Sequence, residues 1–434
     1  MVRAAERLLG AGLFLSVVIT LGGCGGTSAT PAGVAALSSA PSGSASSNPG
    51  ATGGTAGSGS GPVTSTPPNP TPAPQPTPTV VETIYVPTTG TSGMGATGYN
   101  IDPDSGHLKK VGDFSSGALG FGAYSSDPQH RIYISNNGPS DCYKGYCTMD
   151  TRFSTLMRNT ATGALSIGMD NVLVPKRFNG IAILPSAKFA YTVEWTDEDA
   201  TSPKIRGFRI DVTTGTLTQI DIGDVPFGVW GPLFAHPKLP FLYAFEDRCC
   251  GIAPVTKLHV WSVDDNTGRV TELSTSPTIL SKPMEFWPTI SNDGTYFYAA
   301  MPIPLFSEID VMRMDANGVP QGTPLASAAT QPFPEFNAFL VYPNGTIVYG
   351  WGWHHNADGT AKAAIHAYRL DTRTNTFSDL DLSAKVPRID LMPLGFDASG
   401  KHFYLGRSAD LPFAVYNVDP NSGDLTLVSY GPVN

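Results

Sequence analysis

The sequence predicts an all-β protein, a seven-bladed β-propeller over residues 80–434, behind a signal peptide (1–23) and a disordered linker (24–79). Two recurring modules and one change in composition carry that prediction. A Tyr closes a short, mostly apolar run seven times, an Asp- or Asn-led turn follows each run, and the pair recurs about every fifty residues. Ahead of residue 80 the chain shows neither pattern.

Residues 1–23 read as an export signal. Arg3 and Arg7 give a basic start, and the apolar run from Leu8 to Leu21 is too short to span a membrane as a helix. The run ends in Leu21-Gly22-Gly23-Cys24, which resembles the lipobox of bacterial lipoproteins. That resemblance implies that Cys24 is diacylated, becomes the mature N-terminus and ties the protein to a membrane through its lipid. The alternative is a secretory peptide cut near Gly23 with an incidental Cys. Several acyl chains on one residue anchor stably where a single chain is marginal. Gly25 stands where an Asp would mark inner-membrane retention in such lipoproteins, so the expected address is the cell envelope, at the outer membrane.

From Gly25 to Val81 there is no charged and no aromatic residue. Gly, Ser, Thr, Ala and Pro dominate, and so little apolar surface cannot offset the entropy of ordering the chain. The Gly/Ser part is expected to be a flexible coil, and Pro67 to Pro78 a stiffer extended spacer. Together they make a tether. The net charge is −9 and no block of Lys or Arg occurs, which excludes nucleic acid as a partner.

Beyond the tether, the Tyr module reads Thr83-Ile84-Tyr85, Arg131-Ile132-Tyr133, Phe189-Ala190-Tyr191, Phe241-Leu242-Tyr243, Tyr296-Phe297-Tyr298, Ile347-Val348-Tyr349 and His402-Phe403-Tyr404. The turn module runs Asp102 to Gly106, Asn159 to Gly163, Asp211 to Gly215, Asp264 to Gly268, Asp315 to Gly318, Asp371 to Asn375 and Asp419 to Gly423. A leading Asp or Asn accepts bonds from backbone N–H groups just ahead, and the closing Gly takes the left-handed conformation a short β-loop requires. Asn375 replaces Gly once, and Asn is the next most tolerant residue there. Units of about four strands at this period stack as propeller blades, since one sheet cannot bury both its faces. Only six inner strands can be counted ahead of the Tyr runs. The closing blade is therefore either three-stranded or completed by residues outside the pattern.

The repeat resembles that of the seven-bladed lactonase-like propellers, which reads roughly Ser-Pro-Asp-Gly, aromatic-Leu-Tyr-Val, then Asp-x-x-Thr-Gly-x-Leu. Ile290 to Gly294 with Tyr296-Phe297-Tyr298, and Asp211 to Leu217, carry the match, which extends over essentially all of 80–434. Enzymatic members of that superfamily open 6-phosphogluconolactone or process muconate lactones. Several of their channel-entry loops carry His before the inner strand. Here those positions read Pro226-Phe227-Gly228, Met284-Glu285-Phe286 and Pro334-Glu335-Phe336, without His. An exported protein would also not meet a cytosolic sugar phosphate. Both departures weigh against the lactonase activity.

Two sets of loops are expected to ring one mouth of the channel. Those leading into the inner strands contribute Arg177, Trp230, Glu285, Trp287, Glu335, Arg388 and Asp390; those after the Tyr strands contribute Glu194, Trp195, Arg248, Trp351, Trp353, His354 and His355. Five of the six Trp fall in these loops, and only Trp261 lies within an expected strand. Indole rings among carboxylates and guanidinium groups suit a weakly polar ligand such as a sugar. Glu194, Trp195, Trp230, Arg248, Trp287, Trp351, Trp353 and His354 are the candidate ligand contacts. The competing reading has the Trp side chains filling gaps between blades. For hydrolysis, Glu285 and Glu335 are the candidate acid/base pair, with Arg388 or Arg177 stabilising an anion.

Besides Cys24, the cysteines form two close pairs, Cys142…Cys147 and Cys249-Cys250. An oxidising compartment and an even count predict disulfides, with local pairing favoured over cross-pairing although the connectivity stays open. The neighbours Cys249 and Cys250 could bond only with strain. No metal or cofactor is expected. Gly93-x-Gly95-x-x-Gly98 lacks a following helix and reads as a loop between strands, Asp264-x-Asn266-x-Gly268 lacks the calcium-binding Glu, and His354-His355 has no matching carboxylate. The expected function is an envelope lipoprotein that binds a carbohydrate or a protein partner, or serves as a scaffold subunit. The alternative is a lactone or sugar hydrolase.

Overall fold

The Tyr module opens a strand of every blade sheet, and the Asp-led module is the turn after that sheet's next strand. The computed structural model describes residues 81–431 apart from 91–92, 116–121, 127–131, 138–140, 144–145, 149–150, 175–176, 196–203, 223–232, 247–255, 281–285, 302–307, 330–334, 356–360, 381, 383–384, 387–390, 398 and 407–412. The signal, Cys24 and the linker lie outside the described residues. Among the described residues there is no helix, and the strands form successive antiparallel sheets.

The first sheet has three strands, β1 (Thr83–Gly90), β2 (Gly93–Ile101) and β3 (Leu108–Ser115). The second begins with β4 (Gly122–Ser126) and β5 (Ile132–Asn137). A separate hairpin follows, β6 (Asp141–Tyr143) with β7 (Tyr146–Thr148), before β8 (Thr151–Arg158) and β9 (Leu165–Val174) complete the sheet. The third comprises β10 (Arg177–Ile183), β11 (Phe189–Trp195), β12 (Lys204–Ile210) and β13 (Leu217–Ile220). The fourth holds β14 (Phe234–Ala235), β15 (Phe241–Glu246), β16 (Thr256–Val263) and β17 (Val270–Glu272), with β18 (Thr278–Leu280) also paired to β16. The fifth is β19 (Phe286–Ile290), β20 (Tyr296–Met301), β21 (Glu308–Arg313) and β22 (Ala326–Ala329). The sixth is β23 (Glu335–Val341), β24 (Ile347–His355), β25 (Ala361–Asp371) and β26 (Thr376–Leu380). The last is β27 (Met392–Phe396), β28 (His402–Gly406), β29 (Phe413–Val418) and β30 (Leu425–Gly431).

Among the described residues six sheets thus carry four or more strands and one carries three, apart from the β6–β7 hairpin. The three-stranded sheet is the closing blade left open by the sequence: β1 is its Tyr strand, and no inner strand precedes it among the described residues. One expectation is corrected. Gly93, Gly95 and Gly98 lie within β2, not in a loop, because β2 pairs along its length with β1 from Gly93 to Asn100.

The two sequence modules prove to be halves of one contact. Tyr85, Tyr191, Tyr243 and Tyr349 each donate a hydroxyl hydrogen bond to the turn glycine of the next blade, at the carbonyls of Gly163 (2.8 Å), Gly268 (2.8 Å), Gly318 (2.6 Å) and Gly423 (2.7 Å). Tyr298 faces the blade whose turn ends in Asn375, and it bonds instead to the Gly345 carbonyl at the neighbouring turn. Burial pushes the Tyr85 hydroxyl up to about 12 and raises the others too, so each stays protonated and able to donate. Within the turn, Asp264 accepts backbone N–H bonds from Thr267 (2.9 Å) and Asn266 (2.8 Å), which hold its carboxyl below the ordinary range. Gly268 has φ 78° and would place a Cβ 2.7 Å from the Phe189 ring of the preceding blade. Asn375 adopts φ 55°, as its position in the repeat predicts.

Apolar clusters bridge neighbouring sheets. Phe189, Tyr191, Leu242 and Trp261 join the third to the fourth, Tyr243, Leu258, Phe297 and Met312 the fourth to the fifth, and Tyr298, Phe339, Val348 and Tyr368 the fifth to the sixth. Trp261 is fully buried in β16, matching its expected strand position. Among the described residues the ring closes by packing, with no strand shared between the first and last sheets. Ile84, Tyr99, Tyr404 and Phe413 share one cluster between the first and last sheets, with the Tyr99 and Phe413 rings 4.9 Å apart. At the same seam Lys401 Nζ donates to the Asp104 carbonyl (2.6 Å), and buried His402 pairs through Nδ1 with Asp397 (2.6 Å).

Candidate functional site

Antiparallel strands in a four-stranded sheet put the start of the first strand and the end of the second on one rim. The Asp-led turns, which join the third strand to the fourth, then lie at the opposite face. The chain enters the ring on that turn face: Val81 N donates to the Thr160 carbonyl (3.0 Å), while the Arg158 guanidinium donates to the Val81 carbonyl and to Thr83 Oγ1 (3.2 Å). The mouth expected from the sequence is the other rim.

Several candidates assigned to loops lie in strands, because pairing continues to the rim. Arg177 opens β10, Glu335 opens β23, and Trp287 is the second residue of β19. Glu194 and Trp195 end β11, and Trp351, Trp353, His354 and His355 belong to the last part of β24. Register then brings candidates together. Arg177 lies opposite Trp195 and Phe178 opposite Glu194 in the third sheet; Glu335 lies opposite Trp353 in the sixth. Two blades therefore offer the same arrangement, a charged residue opening the inner strand across from a Trp at or near the end of the second. His354 is across from Lys362 and His355 from Ala361, on the β24–β25 side of the sixth sheet.

Trp351 has a different place. It is 6% exposed and packs with Tyr349, Ile365, Leu391 and Leu405 in the core between the sixth and seventh sheets. It fills an inter-blade gap, the competing role that the sequence allows for these Trp residues. The candidates Trp230, Arg248, Glu285, Arg388 and Asp390, with Cys249 and Cys250, lie outside the described residues.

The inner strands show a feature that the repeat alone did not reveal. β10, β19, β23 and β27 each shift register against the second strand, between Asn179 and Ala182, Phe286 and Thr289, Phe336 and Ala338, and Pro393 and Gly395. Such bulges re-aim side chains and gather at rims and active sites. Trp287 and Asn337 fall inside two of these irregularities. The signal was present in the sequence as Arg177-Phe178-Asn179, Glu285-Phe286-Trp287 and Glu335-Phe336-Asn337, a charge, a Phe and a polar or indole side chain. Asn179 and Asn337 were missed because an isolated Asn looks like turn chemistry. No group of three or more His, Cys, Asp or Glu able to hold a metal occurs among the described residues.

No family model matches the chain, and no curated protein matches it. Solved structures do. A candidate 6-phosphogluconolactonase from Bacteroides uniformis superposes with a TM-score of 0.56 at 13% identity, over 81% of this chain and 96% of the other. The periplasmic gluconolactonase of Pseudomonas aeruginosa gives 0.54 at 13% identity, over 82% and 97%. A protein from Lactobacillus plantarum gives 0.50 at 15% identity, over 81% and 96%. At such identities the likeness is one of fold. The fold is that of a β-propeller, and the solved propellers it resembles include two named as lactonases.

Proposed function

We propose that this chain is a lipid-anchored envelope protein whose propeller holds a weakly polar ligand, such as a carbohydrate, or a protein partner at the rim bearing Trp195 and Trp353. The observation that carries the reading is the repeated pairing of Arg177 with Trp195 and Glu335 with Trp353 at that rim. An indole supplies apolar area with one donor, and a charged neighbour orients polar groups. The anchor at Cys24 and the tether 24–79 hold the body at the outer membrane. The described chain begins at Val81 on the turn face, away from that rim.

Titrating intrinsic tryptophan fluorescence with oligosaccharides and sugar lactones tests the rim. The expected outcome is a saturable change that Trp195→Phe and Trp353→Phe remove. The second reading is hydrolysis of a lactone, and it is favoured by the lactonase names of two of the similar propellers. The same lactones, followed for ring opening, separate the two. Turnover that falls by about 10²-fold or more in Glu285→Gln or Glu335→Gln establishes the hydrolase. No binding and no turnover across the panel would overturn the carbohydrate and hydrolase readings and leave the protein partner or scaffold. For the anchor, a labelled fatty acid should be incorporated by the wild type and lost in Cys24→Ser; unlabelled wild type would remove the lipoprotein assignment.

A further inference from the structure

We propose that Cys142 and Cys147 form a disulfide that staples the β6–β7 hairpin at the mouth rim. Register places Cys142 directly opposite Cys147, between the pairs Asp141–Thr148 and Tyr143–Tyr146. Only two residues separate β6 from β7, so the Tyr143–Tyr146 pair closes the loop. In a hairpin with a two-residue loop that closing pair exchanges the hydrogen bonds, and the next pair, the cysteines, is the non-hydrogen-bonded one. Such positions stand with Cα atoms about 4.5 Å apart, within the range a disulfide spans.

A second observation shows why a cross-link is wanted. β6 and β7 form a two-stranded sheet of their own, joined to no blade among the described residues. A lone hairpin of three residues per strand is marginal in water. The corresponding connection of the sixth blade needs no such device, since β24 and β25 run on in register from the blade to His355 and Ala361. The hairpin interrupts the link from β5 to β8, at the rim that also bears Arg177 and Trp195. The staple makes it a fixed wall there.

The bond forms by exchange with an external disulfide oxidant. The thiolate of one cysteine attacks an oxidant sulfur and releases one oxidant thiol; the second thiolate then attacks the mixed disulfide and releases the other. Two protein thiols are oxidised and one oxidant disulfide is reduced. The oxidising compartment comes from the export reading, while the pairing comes from the hairpin alone.

The test uses the purified full chain, reduced and then equilibrated with oxidised glutathione, alkylated and digested without reductant. Trypsin cleaves after Arg131, Lys144 and Arg152, so the two cysteines fall on separate peptides, 132–144 and 145–152. The expected product is these two peptides joined, lighter than their sum by two hydrogens, and split by reduction. Native proteolysis after Lys144 should quicken by about tenfold on reduction. Alkylated, unlinked peptides, or either one joined to residues 249–257, would overturn the proposal. Protein taken from cells with both thiols free, when the purified chain forms the bond, would count against export and leave the pairing standing.

Discussion

On the turn face of the ring, blade after blade repeats one contact: a buried Tyr hydroxyl reaching a turn carbonyl in the next blade. On the mouth rim the described blades differ, although the third and sixth share one charge-and-indole pairing. The third opens with Arg177 across from Trp195, the sixth with Glu335 across from Trp353, and the second carries an inserted hairpin. The same strands build both faces, so the contrast lies in what each must satisfy. The turn face closes the gaps between sheets, and among the described residues five seams meet that need with the same Tyr hydroxyl bond. The rim is where the proposed ligand would sit, and nothing there requires sevenfold sameness.

That comparison can be broken most forcefully at a turn. Gly268→Val forces a β-branched side chain into φ 78° and against Phe189, and should cost about 2–5 kcal/mol in a urea melt. A variant as stable as wild type would show that the turn does not lock the seam. The clasp itself is tested by Tyr243→Phe. Removing the hydroxyl leaves the buried Gly318 carbonyl without this donor, for an expected loss of about 1–3 kcal/mol. Tyr404 sharpens the point, because its buried hydroxyl has no hydrogen-bond partner among the described residues. Tyr404→Phe should therefore change stability by less than about 0.5 kcal/mol, or raise it. Equal losses at Tyr243 and Tyr404 would mean that ring burial, and not the hydroxyl bond, holds the seams.

Much of the fold was legible because its signals are local. The Tyr runs mark second strands, and the Asp-led turns mark the last hairpin of each blade, down to the substitution of Asn375 for Gly. The candidate site was legible only in part. Rim residues such as Arg177 and Trp353 could be picked out by type, yet they were assigned to loops, since nothing in a single strand's sequence says how far its neighbour pairs with it. Trp351 and Trp353 are two residues apart in the same strand and look equivalent in sequence. Trp351 belongs to the core because the seventh blade packs over it.

What the sequence determined by itself was the alternation of strand and turn, the number of repeats, and the presence of a lipobox-like segment and a charge-free stretch ahead of them. These depend on residue type and short spacing, so they survive without knowledge of distant partners. The tertiary structure decided which turn each Tyr reaches, that the ring closes by packing on a three-stranded blade, and which residues face one another at the rim. Those outcomes are pairings between segments far apart in the chain, and only stacking the sheets brings them together.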